Sequence, residues 1–176
     1  MYLDKKEQIK KHLKTHTERS NEDIAAVSVL KTFLSTKDGK INPNFSENDK
    51  WPNTDGTFEF VHNPSLSRVP QKNFFVQIKG TTINNFTDNG IFKYSLKSLA
   101  FPAFIANNAT ADPGILFVVL NPLDRIKKRV FWKYMSLEFV YSIDYTKDSI
   151  TIDFEPENEI LYSDESIEDF CNKLNE

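Results

Sequence analysis

The apolar residues at the start of the chain recur at helical spacing. Residues 5–14 are charged, with only Ile9 and Leu13 on an apolar side, which predicts a short helix on the surface. Ser20 is a typical N-cap residue and predicts the start of a second helix, which ends at a turn with Gly39 at positive φ. The buried stripe predicted for this second helix consists of Ile24, Val27, Leu30 and Leu34.

From residue 40 to about residue 79, apolar and polar residues alternate as they do in β-strands. Phe58 and Phe60 share one face of a first strand, and residues 73–81 form a second strand with the same alternation. Two prolines in residues 62–72 mark a loop between the strands, so we expect an antiparallel hairpin. One face of the second strand carries Phe74, Val76 and Ile78, and the other carries Phe75, Gln77 and Lys79.

The rest of the chain continues to alternate between helical and extended patterns. Residues 92–109 have helical spacing interrupted by a proline, whereas residues 114–120 form a continuous apolar run typical of a central strand buried on both faces. Further strands are expected at residues 130–135 and 150–154, and a last helix at residues 163–174. This order predicts an α/β fold in which a central mixed sheet is flanked by helices.

The amino-acid composition excludes several classes of protein. A length of 176 residues with 39% apolar and 13% aromatic residues is typical of one globular domain. The apolar runs are shorter than the roughly 18 residues of a membrane span, and the first residues show no secretory signal pattern. The single cysteine, Cys171, excludes an internal disulfide and a cysteine-based zinc site. We therefore expect one cytoplasmic domain over residues 1–176 without membrane contact, forming the N-terminal part of a longer protein.

Charge is unevenly distributed along the chain. Residues 1–133 contain 20 lysines and arginines against 13 aspartates and glutamates, a net charge of +7, whereas residues 134–176 contain 2 against 12, a net charge of −10. Such asymmetry indicates a basic working surface beside an acidic region. We expect the core of the domain at about residues 18–140, followed by acidic C-terminal strands and a helix in residues 141–176.

Four polar residues are predicted to converge at one end of the sheet. Asp55 precedes the first strand of the hairpin, and Gln77 and Lys79 lie near the end of the second. Because residues two apart in a strand point to the same face, Gln77 and Lys79 are neighbours on one face. Glu22 lies in the first turn of the helix that must pack on this sheet. The set therefore comprises a helix acid, an acid at a strand start and a Gln-x-Lys strand.

This set resembles the PD-(D/E)XK phosphodiesterase superfamily, the restriction-endonuclease-like fold, in the branch where glutamine replaces the second acid. More narrowly, the chain resembles a bacterial family of N-terminal nuclease domains in larger defence proteins. The resemblance covers most of residues 18–140, and its order and spacing are more specific than any single motif. It rests on Glu22, Asn-Thr-Asp-Gly-Thr-Phe-Glu at residues 53–59, Phe-Val-Gln-Ile-Lys-Gly-Thr at residues 75–81, Leu-Phe-Val-Val-Leu at residues 116–120, and Phe131-Trp132.

The resemblance implies metal-dependent hydrolysis of phosphodiester bonds, with DNA as the expected substrate in an anti-phage or restriction-type defence system. Mg²⁺ or Mn²⁺ would be bound by Asp55, the Gln77 amide oxygen, the Ile78 carbonyl and Glu22, the last directly or through water. Lys79 would orient the attacking water and stabilise negative charge on the phosphate. The neutral Gln77 implies weaker metal binding than a glutamate would give. A further domain, a partner protein or a second copy of the chain are the other expected partners.

Each role has a structural alternative. An aspartate before a glycine is also typical of a turn that enters a strand, and Gln77 and Lys79 could form the solvent face of an edge strand. Glu18, one turn earlier, could supply the helix acid instead of Glu22. For the whole domain, one alternative is a nuclease-like fold that binds nucleic acid or assembles with proteins but does not cleave. The other is a sensor that binds proteins through its acidic C-terminal third.

Lysines outside this set are candidates for phosphate contacts. Lys93 and Lys97 are four apart on the helix expected after the Gln-x-Lys strand and would share one face. The alternative DNA surface is the first helix, with Lys5, Lys6, Lys10, Lys11 and Lys14.

Other residues are candidates for chemistry or base stacking. Glu59, which shares a face with Thr57, is a further candidate near the metal. Trp132 and Tyr134 are expected in the core rather than stacked on bases. The histidines are too dispersed for a catalytic or metal cluster: His12, His16 and His62.

Overall fold

The elements of the fold come from a computed structural model of the chain, which describes residues 4–13, 20–35, 40–46, 53–61, 72–108 and 114–175. The helices in these residues are α1 (Lys5–Lys11), α2 (Asn21–Leu34), α3 (Ala100–Asn107), α4 (Leu137–Ser142) and α5 (Asp164–Asn175). The strands are β1 (Ile41–Phe45), β2 (Gly56–Phe60), β3 (Lys72–Thr81), β4 (Phe92–Leu96), β5 (Gly114–Leu120), β6 (Arg129–Met135), β7 (Ile150–Phe154) and β8 (Glu159–Ile160).

A six-stranded mixed sheet lies at the centre of the molecule, with the strand order β1-β2-β3-β5-β6-β8. β3 and β5 are parallel, and the other neighbouring strands of this sheet are antiparallel. β4 and β7 form a second, two-stranded antiparallel sheet. The predicted α/β class with a central mixed sheet flanked by helices is confirmed, and so is the antiparallel pairing of β2 with β3.

Both faces of the central sheet are covered. On one face, α2 and α5 pack their apolar sides against β2, β3, β5 and β6. On the other face lie α1, α3, α4 and the β4–β7 sheet. β5 is buried along its whole length because it lies between β3 and β6 with apolar layers on both faces, as its continuous apolar run predicted. Among the described residues, no helix combines the length and apolar character needed to span a bilayer.

The N-terminal half of α2 follows the prediction except at one position. The Ser20 side chain accepts a hydrogen bond from the Asp23 backbone N–H at 3.1 Å, which confirms the N-cap. Ile24, predicted in the buried stripe, is 45% exposed, whereas Asp23 is buried. Asp23 stands four residues before Val27 and therefore lies on the helix face that meets the sheet. The turn predicted at Gly39 lies outside the described residues.

The segment predicted as a helix over residues 92–109 is a strand followed by a helix. Residues 92–96 form β4, in which Phe92 lies opposite Phe154 and Leu96 opposite Ile150 of β7. Tertiary pairing with β7 therefore overrides a weak helical spacing. Pro102 lies in the first turn of α3, where an N–H has no partner within the helix, so the proline marks the helix start rather than an interruption.

Candidate functional site

β3 extends past the end of β2, and this overhang organises the site. The pairing of β2 with β3 ends at Gly56, which lies opposite Val76, whereas β3 pairs with β5 as far as Thr81. Because backbone groups alternate in direction along a strand, the N–H groups of Ile78 and Gly80 point to the side that β2 no longer covers. Buried backbone N–H groups need an acceptor, so each requires one from elsewhere in the chain.

Asp55 supplies the first acceptor. Its Oδ2 accepts the Ile78 N–H at 2.6 Å and also accepts a hydrogen bond from the Gln77 side-chain amide. Its backbone is fixed as well, since its N–H donates to the Val76 carbonyl at 2.7 Å and its carbonyl accepts from Ser46 N–H at 2.9 Å. Asp55 is buried, and the structure brings it into direct contact with Gln77.

Asp23 supplies the second acceptor, a role that sequence reasoning missed. Its Oδ1 accepts the Gly80 N–H at 2.7 Å, and its Oδ2 forms an ion pair with Lys79 Nζ at 3.4 Å. Both side chains are mostly buried, at 13% exposure for Asp23 and 18% for Lys79. The sequence contains one signal for this role. Asp23 lies four residues before Val27, so helical spacing places both residues on the buried face of α2.

Gly80 allows α2 to bring Asp23 to the overhang. A Cβ at Gly80 would lie 2.2 Å from the carbonyl oxygen of Glu22, so only glycine permits so close an approach of helix and strand. Glu22 itself is half-buried, with its backbone against Gly80. The acid of α2 that contacts Lys79 is therefore Asp23. Glu18 lies outside the described residues.

Gln77 and Lys79 share one face of the central sheet, because they lie two residues apart in β3. Asp55 contacts the Gln77 side chain through the hydrogen bond that the Gln77 amide donates. Phe75 lies earlier on this face and packs edge-on against Phe104 of α3, with ring centroids 5.0 Å apart. The apolar core thus ends where the polar residues begin. We call Asp23, Asp55, Gln77 and Lys79 the polar cluster.

A cleft of about 380 Å³ opens beside the polar cluster. Asp23 and Lys79 belong to its lining, and three lysines against one carboxylate give these charged walls a net positive charge. Burial, together with the negative charge of Asp23, raises the pKa of Tyr94 above its ordinary value. Charged and hydroxyl-bearing residues of the lining include Ser20, Asp23, Lys79, Lys93, Tyr94 and Lys97.

Lys93 and Lys97 reach this cleft from a different element than predicted. Lys93 lies in β4 and Lys97 directly after it, so the predicted shared helix face is wrong. Lys93 Nζ also lies 3.4 Å from a carboxylate oxygen of Asp153 on β7, in an exposed pair. Both lysines line the cleft.

Other candidates lie in structural contacts. Glu59 accepts a hydrogen bond from the Asn42 side chain at 3.0 Å. His12 Nε2 lies 2.9 Å from the Tyr145 carbonyl oxygen. Trp132 is 6% exposed within the core, as predicted, whereas Tyr134 is 44% exposed, so its predicted core position is wrong. His16, His62 and Lys14 lie outside the described residues.

The donor set around Asp55 suits a hard divalent cation. No group of three or more His, Cys, Asp or Glu side chains in the described residues is placed to hold a metal. Mg²⁺ keeps several waters and needs only one or two carboxylates, so the Asp55 carboxylate, the Gln77 amide oxygen and the Ile78 carbonyl are chemically sufficient. The Ile78 carbonyl points to the same side as its N–H, toward Asp55. A metal would compete with the Gln77 amide for the Asp55 carboxylate.

Removing the Asp23 carboxylate should destabilise the fold more than removing that of Glu22. Asp23→Ala leaves the Gly80 N–H and the Lys79 ammonium without their acceptor, which should lower the free energy of unfolding by about 2 kcal/mol. Glu22→Ala at the neighbouring position should cost less than about 0.5 kcal/mol. Urea unfolding of both variants measures the difference. Equal losses would show that Asp23 does not hold the overhang.

Comparison with known proteins adds no family and no relative to this description. No protein-family model matches the chain, and neither the curated proteins nor the solved structures give a significant match. The case for a function therefore rests on the polar cluster at the β3 overhang and on the basic cleft beside it.

Proposed function

We propose that this domain is a metal-dependent phosphodiesterase of the PD-(D/E)XK type that cleaves DNA. The observation that carries the proposal is the contact of Asp55 with Gln77, which lies two residues from Lys79 on β3, beside a lysine-lined cleft. Phosphodiester hydrolysis needs oxygen ligands for a divalent cation and a positive charge near the phosphate. The polar cluster supplies side-chain oxygen atoms at Asp55 and Gln77 and a positive charge at Lys79.

The oxygen ligands are assigned to the Asp55 side of the cluster. Asp55, the Gln77 amide oxygen and the Ile78 carbonyl would hold Mg²⁺ or Mn²⁺, with Glu22 contributing through water. When bound, the ion supplies a Lewis acid and a water of lowered pKa. Asp55 is suited to this position because its backbone is bonded to both neighbouring strands, which fixes the carboxylate.

Lys79 and the cleft lysines act on the phosphate. Lys79 presents its ammonium at the cleft, where it would orient the attacking water and stabilise the negative charge that develops. Asp23 acts as a positioning residue, because its carboxylate 3.4 Å away restricts the Lys79 side chain. Lys93 and Lys97 would contact neighbouring phosphates.

The proposal also covers the biological system in which this cleavage takes place. The resemblance indicates an anti-phage or restriction-type defence protein, in which a further domain, a partner protein or a second copy of the chain controls cleavage. The formal net charge of −3 supports such help, because bulk positive charge cannot bring this domain to DNA. Three lysines instead line one cleft beside the polar cluster.

Digestion of supercoiled plasmid tests the proposal. The wild-type domain should nick or linearise the plasmid with Mg²⁺ or Mn²⁺ and should be inactive in EDTA. Asp55→Asn keeps the size of the side chain but removes its charge, and should lower the rate by about 100-fold or more. A parallel digestion of RNA separates the two nucleic acids. Cleavage that persists in EDTA, or that is unchanged in Asp55→Asn, would contradict the proposal.

A second candidate is a nuclease-like domain that binds nucleic acid without cleaving it. The observation that favours it is that Asp55 and Asp23 both accept backbone N–H groups of β3, which is a structural use of each carboxylate. Duplex binding in the cleft, with no cleavage under any divalent cation, is the result that distinguishes this candidate from the first.

A further inference from the structure

The segment between β5 and β6, residues 121–128, leaves the sheet beside the polar cluster. β5 runs parallel to β3, and Leu120 lies opposite Thr81, so both strands end at the same edge. Asn121, at φ 53, donates its N–H to the Thr81 carbonyl at 2.7 Å. The segment therefore starts two residues along β3 from Lys79. We call residues 121–128 the β5–β6 loop.

The other end of the loop is anchored to the segment that follows β3. Arg129 forms two hydrogen bonds of 2.7 Å to the Glu159 carboxylate, and its guanidinium lies 4.5 Å from the centroid of the Phe86 ring. Phe86 belongs to the same segment as Ile83 and Asn85, which line the cleft. Both ends of the loop are thus tied to the chain that follows β3.

The tip of the loop presents apolar side chains from a fixed turn. The Asp124 carboxylate accepts the backbone N–H groups of Ile126 at 2.8 Å and Lys127 at 3.0 Å. These two bonds hold the pKa of the Asp124 carboxyl below its usual range. Ile126 is 90% exposed and Leu123 is 64% exposed. Two large apolar side chains are thus exposed within four residues of this loop.

The charges around these apolar residues favour a polyanion as the binding partner, because three cations stand against the single Asp124 carboxylate in residues 121–128. Arg125 and Lys127 are exposed and Lys128 is half-buried, and none of the three forms an ion pair with a described residue. Cations combined with an apolar wedge are how proteins hold a duplex while packing against its base and sugar edges. An anionic membrane attracts the same residue types, but the loop starts at Thr81, a residue of the cleft, rather than on a separate surface.

We propose that the β5–β6 loop grips duplex DNA, with Arg125, Lys127 and Lys128 on phosphates and Ile126 packed into a groove. The inference rests on the proposed function for the position of the scissile phosphate, which lies in the cleft at Lys79. It adds a binding surface on the β6 side of that cleft.

Fluorescence anisotropy with a labelled DNA duplex in EDTA tests the loop, because binding is then measured without cleavage. The triple variant Arg125→Ala/Lys127→Ala/Lys128→Ala should bind at least about 10-fold more weakly at low salt, with the slope of log K against log salt reduced by about 3. The matched control Lys6→Ala/Lys10→Ala/Lys11→Ala removes the same charge from α1 and should change affinity less than about twofold. Ile126→Ser should weaken binding about fivefold without changing the salt slope.

Three results would overturn the inference. One is wild-type affinity in the loop triple variant, and another is an equal loss in the α1 control, which would place DNA binding on bulk charge. The third is Ile126-dependent binding to vesicles containing phosphatidylserine without binding to DNA. If the loop variants lose binding while the wild-type domain cleaves nothing, the inference stands and the proposed function fails.

Discussion

Lys79→Ala should abolish Mg²⁺-dependent cleavage of plasmid DNA, lowering the rate by about 1000-fold. Lys79 is the cation of the polar cluster that both contacts an acid of α2 and lines the cleft, so its loss removes charge stabilisation at the phosphate. The fold should remain, because Asp23 keeps its hydrogen bond from Gly80 N–H. Initial rates of plasmid nicking, with circular dichroism of both proteins, measure the effect.

Lys72→Ala provides the matched control for this variant. Lys72 lies at the opposite end of β3, where its ammonium donates to the Leu174 carbonyl, so its loss should leave the cleavage rate within about twofold of wild type. Normal cleavage by Lys79→Ala would place the reacting phosphate elsewhere. If Lys79→Ala loses activity because it unfolds, Lys79→Gln tests the catalytic role instead. This variant keeps most of the side-chain volume and should be equally inactive in a folded protein.

Gly80→Ala should produce the largest loss of stability among single methyl additions at this site, about 3 kcal/mol. The added Cβ would meet the backbone of Glu22 at 2.2 and 2.4 Å, and a helix backbone cannot yield as a flexible side chain can. The N-terminus of α2 must then move away from β3 and take Asp23 with it. Guanidinium unfolding measures the loss, and cleavage should fall in parallel.

Gly90→Ala is the control that separates crowding from backbone strain. Gly90 has φ +80 but meets only the Pro156 side chain at 3.7 Å, so its substitution should cost about 1 kcal/mol from strain alone. Equal costs at Gly80 and Gly90 would mean that α2 does not lie against β3 as described.

The strands around the site were predictable because their patterns are strong. Strict alternation over residues 73–81 identified β3, and it placed Gln77 and Lys79 on one face together. The apolar run of β5 indicated burial on both faces. A serine followed by acids identified the start of α2. In each case local pattern and tertiary packing favour the same structure.

The features that sequence reasoning missed depend on contacts between distant segments. In the sequence, Asp23 is an ordinary acidic residue in the first turn of a helix. Its contact with Lys79 depends on the β3 overhang and on the close approach of α2 at Gly80. The β4 strand is set by pairing with β7, in which Ile150 lies opposite Leu96 at a distance of 54 positions along the chain. The exposed apolar side chains and the anchors of the β5–β6 loop likewise depend on contacts that no local pattern shows.

The central claim is that Asp55 and its neighbours hold a divalent cation at the β3 overhang. Titration with Mn²⁺, followed by electron paramagnetic resonance of the free ion, tests this claim without requiring activity. The wild-type domain should bind about one Mn²⁺, and Asp55→Asn should weaken that binding by about 10-fold or more, whereas Glu59→Gln should leave it unchanged. Identical Mn²⁺ binding by wild type and Asp55→Asn, or no binding by either, would contradict the account.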